Sequence, residues 1–190
     1  MAETQKKCKI AWGITGGGDK IAEIVKIMIE LKNQYEHKVD IHVFVSKNGE
    51  TMLRFYKQFD IVKQEFSHFS VEMNANAPFL SAWLQSGKYD FFLIAPTSSN
   101  TVAKIVNGIG DTLITNSAIM SLKAFGTVYI LPTDYKEGVV ETIIPNGKTI
   151  KIRVRKEEAE QTRKLEQMDG VHVLENPEKI RAIFSERFSK

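Results

Sequence analysis

Five consecutive side chains that form hydrogen bonds stand at or just after the end of an apolar run: Thr97, Ser98, Ser99, Asn100 and Thr101. The apolar run, residues 91–95, has the composition of a buried parallel strand. Residues 102–108 have helical spacing and end at a glycine, so the polar side chains precede a predicted helix. The unpaired N–H groups of a helix N-terminus favour a phosphate or a polar ring edge. Because a helix cap needs only one such residue, the pattern favours ligand binding over capping alone.

Two further polar turns follow predicted strands. The strand over residues 9–14 leads into Thr15-Gly16-Gly17-Gly18, and the strand over residues 39–45 leads into Ser46. Glycines let the backbone approach a ligand closely, although a simple tight turn explains them as well. Since ligands of parallel α/β sheets bind beyond the carboxyl ends of the strands, we expect the three turns to form one site.

The glycine turn does not match the common nucleotide-binding motifs. A dinucleotide motif that begins at Gly16 requires a third glycine at Ile21, and the second strand ends in Ser46-Lys47 rather than in an acidic residue. A P-loop is excluded because Asp19-Lys20-Ile21 lacks the hydroxyl that binds magnesium. The turn therefore suits a mononucleotide with a single terminal phosphate better than a pyrophosphate.

The histidines and the single cysteine give little evidence of catalysis or metal binding. Cys8 is the only cysteine, which excludes intrachain disulfides and cysteine-rich clusters and fits a reducing, cytoplasmic setting. His42 alternates with apolar residues in a strand, while His37 and His172 have the surroundings of surface residues. No histidine pair has the spacing of metal ligands, so we predict no metal site. His68, in an aromatic stretch, is a weak candidate for a general acid or base.

Composition limits the protein's class. The chain has 190 residues, is 43% hydrophobic and carries a formal net charge of +3, which fits one domain over residues 1–190 and gives no support for nucleic-acid binding. Residues 1–7 are polar and lack the apolar core of a signal peptide. No apolar run approaches the roughly 20 residues that span a bilayer, so we expect no membrane insertion.

Strands and helices alternate along most of the chain. Helices are predicted over residues 21–30, 50–57, 78–86, 102–108 and 115–124, with a further buried strand over residues 127–131. This alternation predicts an α/β fold, namely a three-layer, doubly wound parallel sheet of the Rossmann-like or flavodoxin-like kind, with its core in residues 8–135.

The C-terminal part, residues 136–190, is predicted to be an appendage of that core. Asn146-Gly147 lies between β-prone runs at residues 139–144 and 148–154, which is the strongest short signal for a β-hairpin. A helix over residues 155–168, a strand over 171–174 and a helix over 177–184 follow.

Taken together, these segments resemble the FMN-binding flavoprotein superfamily, which includes phosphopantothenoylcysteine decarboxylases and flavin prenyltransferases. The resemblance is carried by Gly13-Ile14-Thr15-Gly16, by Val45-Ser46-Lys47 and, most specifically, by residues 95–115. It implies that Gly16, Gly17 and Gly18 line an FMN site and that Ser46 contacts the ribityl-phosphate side. It further implies that four polar residues contact the phosphate or the ring edge: Ser98, Ser99, Asn100 and Thr101. Thr115 and Asn116 are expected to lie near them.

The chain departs from the superfamily's two best-known chemistries. The decarboxylases carry a catalytic histidine in the helix that corresponds to residues 78–86, which contains none here, and a Pro-Ala-Met-Asn segment where this chain has Pro132-Thr133-Asp134-Tyr135. The prenyltransferases carry an arginine where this chain has Asn116. The chain most resembles the archaeoflavoprotein and dihydromethanopterin reductase branch, and its C-terminal segments add to that likeness.

The resemblance implies an FMN-dependent oxidoreductase that passes electrons from a reduced donor, such as a ferredoxin or another flavoprotein, to a small acceptor, such as a dihydropterin. The alternatives are a non-redox lyase or transferase, with His68 or Tyr135 as proton donor, and an FMN carrier without turnover. The resemblance also implies a homo-oligomer with flavin sites at subunit interfaces. The aromatic stretch over residues 55–69 is a candidate contact, although core packing explains it equally well.

Basic side chains cluster in and after the predicted hairpin: Lys148, Lys151, Arg153, Arg155 and Lys156. They suit the docking of an acidic electron donor or substrate tail. Lysine and arginine also protect edge strands from unwanted pairing, and this interpretation is the one that we favour.

Overall fold

The computed structural model describes residues 7–189, so almost all of the polar N-terminal segment lies outside the described residues. Eight strands lie within these described residues: β1 Cys8–Ile14, β2 Val39–Val45, β3 His68–Val71, β4 Phe91–Thr97, β5 Val128–Pro132, β6 Gly138–Ile143, β7 Thr149–Val154 and β8 Val171–Val173. Six of them form one parallel sheet in the order β3-β2-β1-β4-β5-β8, while β6 and β7 form a separate antiparallel hairpin.

Between residues 7 and 189, eight helices accompany these strands: α1 Ile21–Gln34, α2 Lys47–Phe55, α3 Phe59–Glu65, α4 Leu80–Gln85, α5 Ser99–Val106, α6 Leu113–Lys123, α7 Lys156–Glu166 and α8 Glu178–Phe188. Apolar side chains of α1, α2, α3 and α8 share one core with the sheet. Those of α4, α5, α6 and α7 share the core on its other face. The prediction of a three-layer, doubly wound parallel sheet is therefore confirmed.

The order of the sheet reverses next to β1, which pairs with β2 on one side and with β4 on the other. Trp12, at the centre of β1, lies in register with Val43 and Leu93 and is fully buried. Its indole N–H donates to the carbonyl of Ala95 at 2.7 Å. The reversal opens a crevice beyond the carboxyl ends of β1 and β4, where folds of this class bind their ligands.

Three helices begin earlier than the periodicity predicts. The helix expected from residue 50 begins at Lys47, that expected from 102 begins at Ser99, and that expected from 115 begins at Leu113. The first turns of α2 and α5 are mainly polar and carry no apolar periodicity, whereas α6 starts with the apolar Leu113 and Ile114 directly after its Thr112 cap. A hydroxyl cap defines the true start, because it accepts a backbone N–H that the helix leaves unpaired.

The segment between β2 and β4 contains two elements that the sequence analysis did not identify, α3 and β3. Phe59 and Phe66 of this aromatic stretch are buried in the core, whereas Phe55 is half exposed. Core packing therefore accounts for most of the stretch.

The last strand and helix of the chain contribute to the main core. β8 extends the sheet beside β5, and α8 packs against α1, with Tyr35 in contact with the rings of Phe184 and Phe188. Of the part that follows residue 135, only the predicted hairpin forms a sheet of its own. Among residues 7–189, no helix is both long enough and apolar enough to cross a bilayer.

Candidate functional site

A cavity of about 520 Å³ lies in the crevice where the sheet order reverses. Among the residues that line it are six that the sequence analysis selected: Thr15, Gly16, Ser46, Ser98, Asn100 and Thr101. They come from the turns after β1, β2 and β4, so the structure brings all three predicted turns to one cavity.

Thr15 holds two of these turns together. Its hydroxyl donates to the carbonyl of Pro96 at 2.9 Å and accepts the backbone N–H of Ser98 at 2.8 Å. The backbone N–H of Thr15 also donates to the Pro96 carbonyl. Because the side chain is almost fully buried, these bonds fix the end of β1 against the start of α5.

Hydroxyl side chains cap the helices that begin at the cavity. Ser46 accepts the backbone N–H of Gly49 at 3.0 Å, and Ser98 accepts that of Thr101 at 3.4 Å. The alternative that one residue of the 97–101 segment caps a helix is thus correct for Ser98, while other residues of the segment also line the cavity. The first turn of α5 contains no acidic residue of its own, although the carboxyl group of Asp134 lies beside its first residue, Ser99.

Glycine is required where α2 passes β1. A methyl group at Gly49 would lie 2.4 Å from the carbonyl oxygen of Ile14, well inside van der Waals contact. One at Gly16 would lie 3.0 Å from the Cβ of Asn48. The backbones at this side of the cavity are therefore in close contact.

Glu72, which follows β3, joins two of the helix starts. One oxygen of its carboxylate accepts the backbone N–H of Lys47 and the other accepts that of Leu113, each at 3.1 Å. The side chain is buried and lines the cavity. Since charge-assisted hydrogen bonds at helix N-termini are strong, Glu72 fixes α2 and α6 relative to each other.

Two lysines line the same cavity. Lys104 of α5 pairs with both carboxylate oxygens of Asp111, at 2.8 and 2.9 Å, whereas Lys47 is exposed at the start of α2. The positive charge available to an anionic ligand therefore comes from Lys47, from the N-terminus of α5 and from a partly neutralised Lys104, since the Glu72 carboxylate already occupies the N-termini of α2 and α6.

Three of the other residues selected from the sequence, Thr97, Gly17 and Gly18, do not line the cavity. The Thr97 side chain is fully buried and donates to the carbonyl of Ile94 at 2.7 Å, because the register of β4 shifts between these residues. Gly17 packs against Thr133, whose methyl group lies 2.5 Å from the position of an added Cβ. Gly18 packs against the ring of Tyr56.

The remaining selected residues hold neighbouring elements. Ser99 forms a side-chain hydrogen bond with Asp134. Thr115 forms a capping box with Thr112 at the start of α6. The Asn116 amide donates to the carbonyl of Ala75 and to the side chain of Asn76, and thereby fixes the loop between β3 and α4.

Much of the cavity lining comes from residues that the sequence analysis did not select: Lys47, Asn48, Thr51, Met52, Glu72, Lys104, Asp111, Thr112 and Ile114. Some of them carried a usable signal. Thr112 and Thr115 have the spacing of a capping pair before an apolar run, which marks a helix N-terminus. Glu72 carried none, because it follows the unpredicted strand β3.

A second cleft, of about 390 Å³, is lined by Thr133, the residue against which Gly17 packs. Pro96, Tyr135 and Lys136 also line it. Burial, together with a hydrogen bond to Glu166, raises the pKa of the Tyr135 phenol above its ordinary value. Burial also raises the pKa of the neighbouring Asp134 carboxyl, although hydrogen bonds from Ser99 and Thr133 oppose that rise.

The cavity fits a phosphorylated ligand of medium size. Its volume falls within the roughly 300–1,000 Å³ of typical small-molecule sites. Hydroxyl and amide groups gather at the N-terminus of α5, and the lining also contains the apolar side chains of Met52 and Ile114. This donor set suits a terminal phosphate together with a less polar body.

Comparisons with known proteins agree with this geometry. A profile of the Flavoprotein family matches residues 1–186. An uncharacterized protein of Methanocaldococcus jannaschii is 49% identical over 175 residues, covering 92% of this chain and 93% of its own. The dihydromethanopterin reductase (acceptor) of the same organism is 30% identical over 238 residues, covering 94% of this chain and 96% of its own. The crystal structure of Burkholderia xenovorans DmrB in complex with FMN, described as a cubic protein cage for redox transfer, superposes with a TM-score of 0.81 at 26% identity, covering 97% of each chain.

Proposed function

Because the chain belongs to the Flavoprotein family, we propose that it is an FMN-dependent oxidoreductase whose cofactor binds in the cavity beside β1 and β4. The relatives support this function, since DmrB is in complex with FMN and another relative is named a dihydromethanopterin reductase. When bound, FMN supplies a centre that passes one or two electrons. The observation that carries the proposal is the N-terminus of α5, where hydroxyl and amide side chains line a cavity of sufficient size.

We place the FMN phosphate at the start of α5, where Ser98, Asn100 and Thr101 line the cavity. Backbone N–H groups and hydroxyls there suit phosphate oxygens, while the nearby Asp134 carboxyl accepts hydrogen bonds from Ser99 and Thr133. Gly16 and Ser46 then face the ribityl side. The other selected residues, among them Gly17, Gly18 and Thr115, support the cavity from behind.

The acceptor is proposed to bind in the second cleft, whose lining includes Pro96, two residues before Ser98 of the cavity lining. Tyr135 lines this cleft as a protonated phenol, although burial raises its pKa and makes it a weaker proton donor than an ordinary tyrosine. A protonated phenol there can donate a proton to a substrate that is being reduced. The reductase relative favours a dihydropterin as this acceptor.

A reduced ferredoxin or flavoprotein is the proposed donor, and the hairpin is its candidate docking surface. Three of the five basic side chains identified there form ion pairs with nearby acids: Lys151 with Glu141, Arg155 with Glu158 and Lys156 with Glu160. This pairing agrees better with protection of an edge strand than with docking. Arg153 is therefore the better residue for testing donor docking, because it forms no ion pair with an acidic side chain among residues 7–189.

The test is anaerobic reduction of the purified protein. We expect flavin absorbance that bleaches with reduced ferredoxin and returns when a dihydropterin is added, with one tetrahydropterin formed for every two electrons. Charge reversal by Arg153→Glu is expected to raise the KM for the donor at low salt only if the hairpin docks it. A bound flavin that no donor reduces would contradict the oxidoreductase function.

The second candidate is a non-redox lyase or transferase, with an FMN carrier as a further alternative. Two residues are candidate proton donors for this chemistry. Tyr135 lines the second cleft, whereas His68 lines a different cleft together with His42. Flavin that stays oxidised while a substrate loses carbon dioxide or gains a group would favour this class. Flavin without reduction or turnover would favour the carrier.

A homo-oligomer and a reducing, cytoplasmic compartment complete the proposal. The hairpin exposes apolar side chains, with Val139 and Ile143 each 66% accessible, and exposed apolar patches of this kind often mark subunit contacts. DmrB is described as a cubic cage. Light scattering of the wild type and of Ile143→Lys tests whether the hairpin mediates assembly.

A further inference from the structure

Two histidines and an aspartate meet at the β3 edge of the sheet. The two histidines line a cleft whose lining residues differ from those of the proposed FMN cavity. The parallel register of β2 and β3 places His42 directly opposite His68. Asp40 lies two residues before His42, so it projects from the same face of β2. The sequence analysis predicted no metal site, because these residues converge only through the unpredicted strand β3.

The three side chains are close enough to share one ion. Nε2 of His42 lies 3.0 Å from a carboxylate oxygen of Asp40, and the two imidazole rings are stacked with their centroids 3.8 Å apart. One ligand atom from each of the three residues lies within 4.8 Å of the others. His68 is exposed, which leaves its ring free to turn towards an ion.

Tyr89 supports this arrangement from behind. Its hydroxyl lies 3.0 Å from Nδ1 of His42, on the side of the ring opposite Asp40. Ligating histidines commonly use their other nitrogen for such a hydrogen bond, which fixes the ring and its tautomer. Without an ion, Tyr89 donates to Nδ1, and Nε2–H donates to Asp40. With an ion, Nδ1–H donates to Tyr89, and the lone pair of Nε2 faces the metal.

We propose that Asp40, His42 and His68 form a binding site for a divalent transition-metal ion of the Zn²⁺ class. Two imidazoles and one carboxylate are ligands that such ions favour, and water completes the coordination from the adjoining cleft of about 260 Å³. Bound metal links the edge strand β3 to β2, in addition to their backbone hydrogen bonds. Tyr89 acts as a positioning residue.

The test is calorimetric titration of the purified full-length protein with Zn²⁺ alone, backed by thermal unfolding with and without EDTA. We expect one ion per chain at micromolar concentration and a rise in Tm that EDTA reverses. His68→Gln and Asp40→Asn should each weaken binding by more than about tenfold, because even outer-shell changes cost 10–100-fold. Neither side chain is fully buried, so both variants are expected to fold, which circular dichroism verifies.

His172→Gln is the matched control, since His172 is also exposed and also stacks on a ring, that of Tyr129. It should bind Zn²⁺ as the wild type does. Tyr89→Phe should weaken Zn²⁺ binding, because it removes the hydrogen bond that fixes the His42 ring. At saturating Zn²⁺ nitrogen NMR should still detect the change in the His42 tautomer, since ligation through Nε2 requires it. An absence of binding in the wild type, unchanged binding in both ligand variants, or equal loss in the control would overturn the proposal.

Discussion

The hydroxyl of Thr15 accepts the backbone N–H of Ser98 at 2.8 Å, across 83 residues of sequence. This bond joins the turn after β1 to Ser98, the N-cap residue of α5. The same hydroxyl also donates to the carbonyl of Pro96. The proposed phosphate site at the start of α5 therefore depends on a threonine that lies beneath it.

Thr15→Val should destabilise the protein and weaken FMN binding. Valine keeps the shape of the side chain but leaves the Ser98 N–H without its partner and removes one of the two hydrogen bonds that the Pro96 carbonyl accepts, at a cost of about 1–3 kcal/mol. Urea unfolding and FMN titration measure both effects. Thr15→Ser keeps the hydroxyl and serves as the control, and equal behaviour of the two variants would show that the hydroxyl is not needed.

Glu72→Gln should lower the free energy of unfolding by about 2–3 kcal/mol, because an amide replaces a carboxylate that accepts two backbone N–H groups in a buried setting. The control is Glu50→Gln, which removes a surface ion pair with Arg54 at 2.7 Å. That pair contributes about 0.3–0.5 kcal/mol. Similar losses in the two variants, measured by urea unfolding, would contradict the bridging role of Glu72.

Asp134→Asn should stabilise the protein at neutral pH. Burial raises the pKa of Asp134 in the folded state above its ordinary 3.8. The unfolded state has the ordinary pKa of 3.8, and the folded state has a higher one. Between these two pKa values the folded state binds more protons than the unfolded state, so wild-type stability falls as the pH rises through this window. Asparagine removes this effect, and its advantage should shrink as the pH falls towards 3.8.

Thermal unfolding at several pH values measures the difference between the wild type and this variant. Asp169→Asn, at an exposed position, is the control and should show no such pH-dependent gain. A variant less stable than the wild type at neutral pH would contradict the direction of the shift.

Cys8 should react slowly with alkylating reagents. Burial and the nearby Asp90 raise the pKa of its thiol to about 12. The thiolate fraction at pH 8 is then lower than that of an ordinary cysteine, with a pKa of about 8.5, by roughly three orders of magnitude. Iodoacetamide labelling followed by mass spectrometry measures the rate. Unfolding in urea should restore ordinary reactivity, and fast labelling of the folded protein would contradict the prediction.

The sequence predicted the architecture and the location of the site for one physical reason. Polar turns after buried parallel strands meet at one edge of a sheet, so Thr15, Ser46 and Ser98 lie together at the cavity. Apolar runs and Asn146-Gly147 identified the central strands and the hairpin, because burial and turn geometry leave a strong pattern in the residue types.

The rest depends on tertiary contacts that have no local pattern. Strand β3 is short and only partly buried, so neither Glu72 beyond its end nor the pairing of His42 with His68 could be predicted. Thr97 belongs to the polar run, but the register shift in β4 turns its side chain away from the cavity. Side-chain direction at such an irregularity does not follow from residue type.

The central claim is that the N-terminus of α5 binds the phosphate of FMN. Titration of the cofactor-stripped protein with FMN and with riboflavin, which differ only in that phosphate, tests it most directly. We predict one FMN per chain and riboflavin affinity at least about 100-fold lower, since charge-assisted phosphate contacts at helix ends are strong. Equal affinity for the two flavins, or no binding of FMN by the folded protein, would contradict the claim.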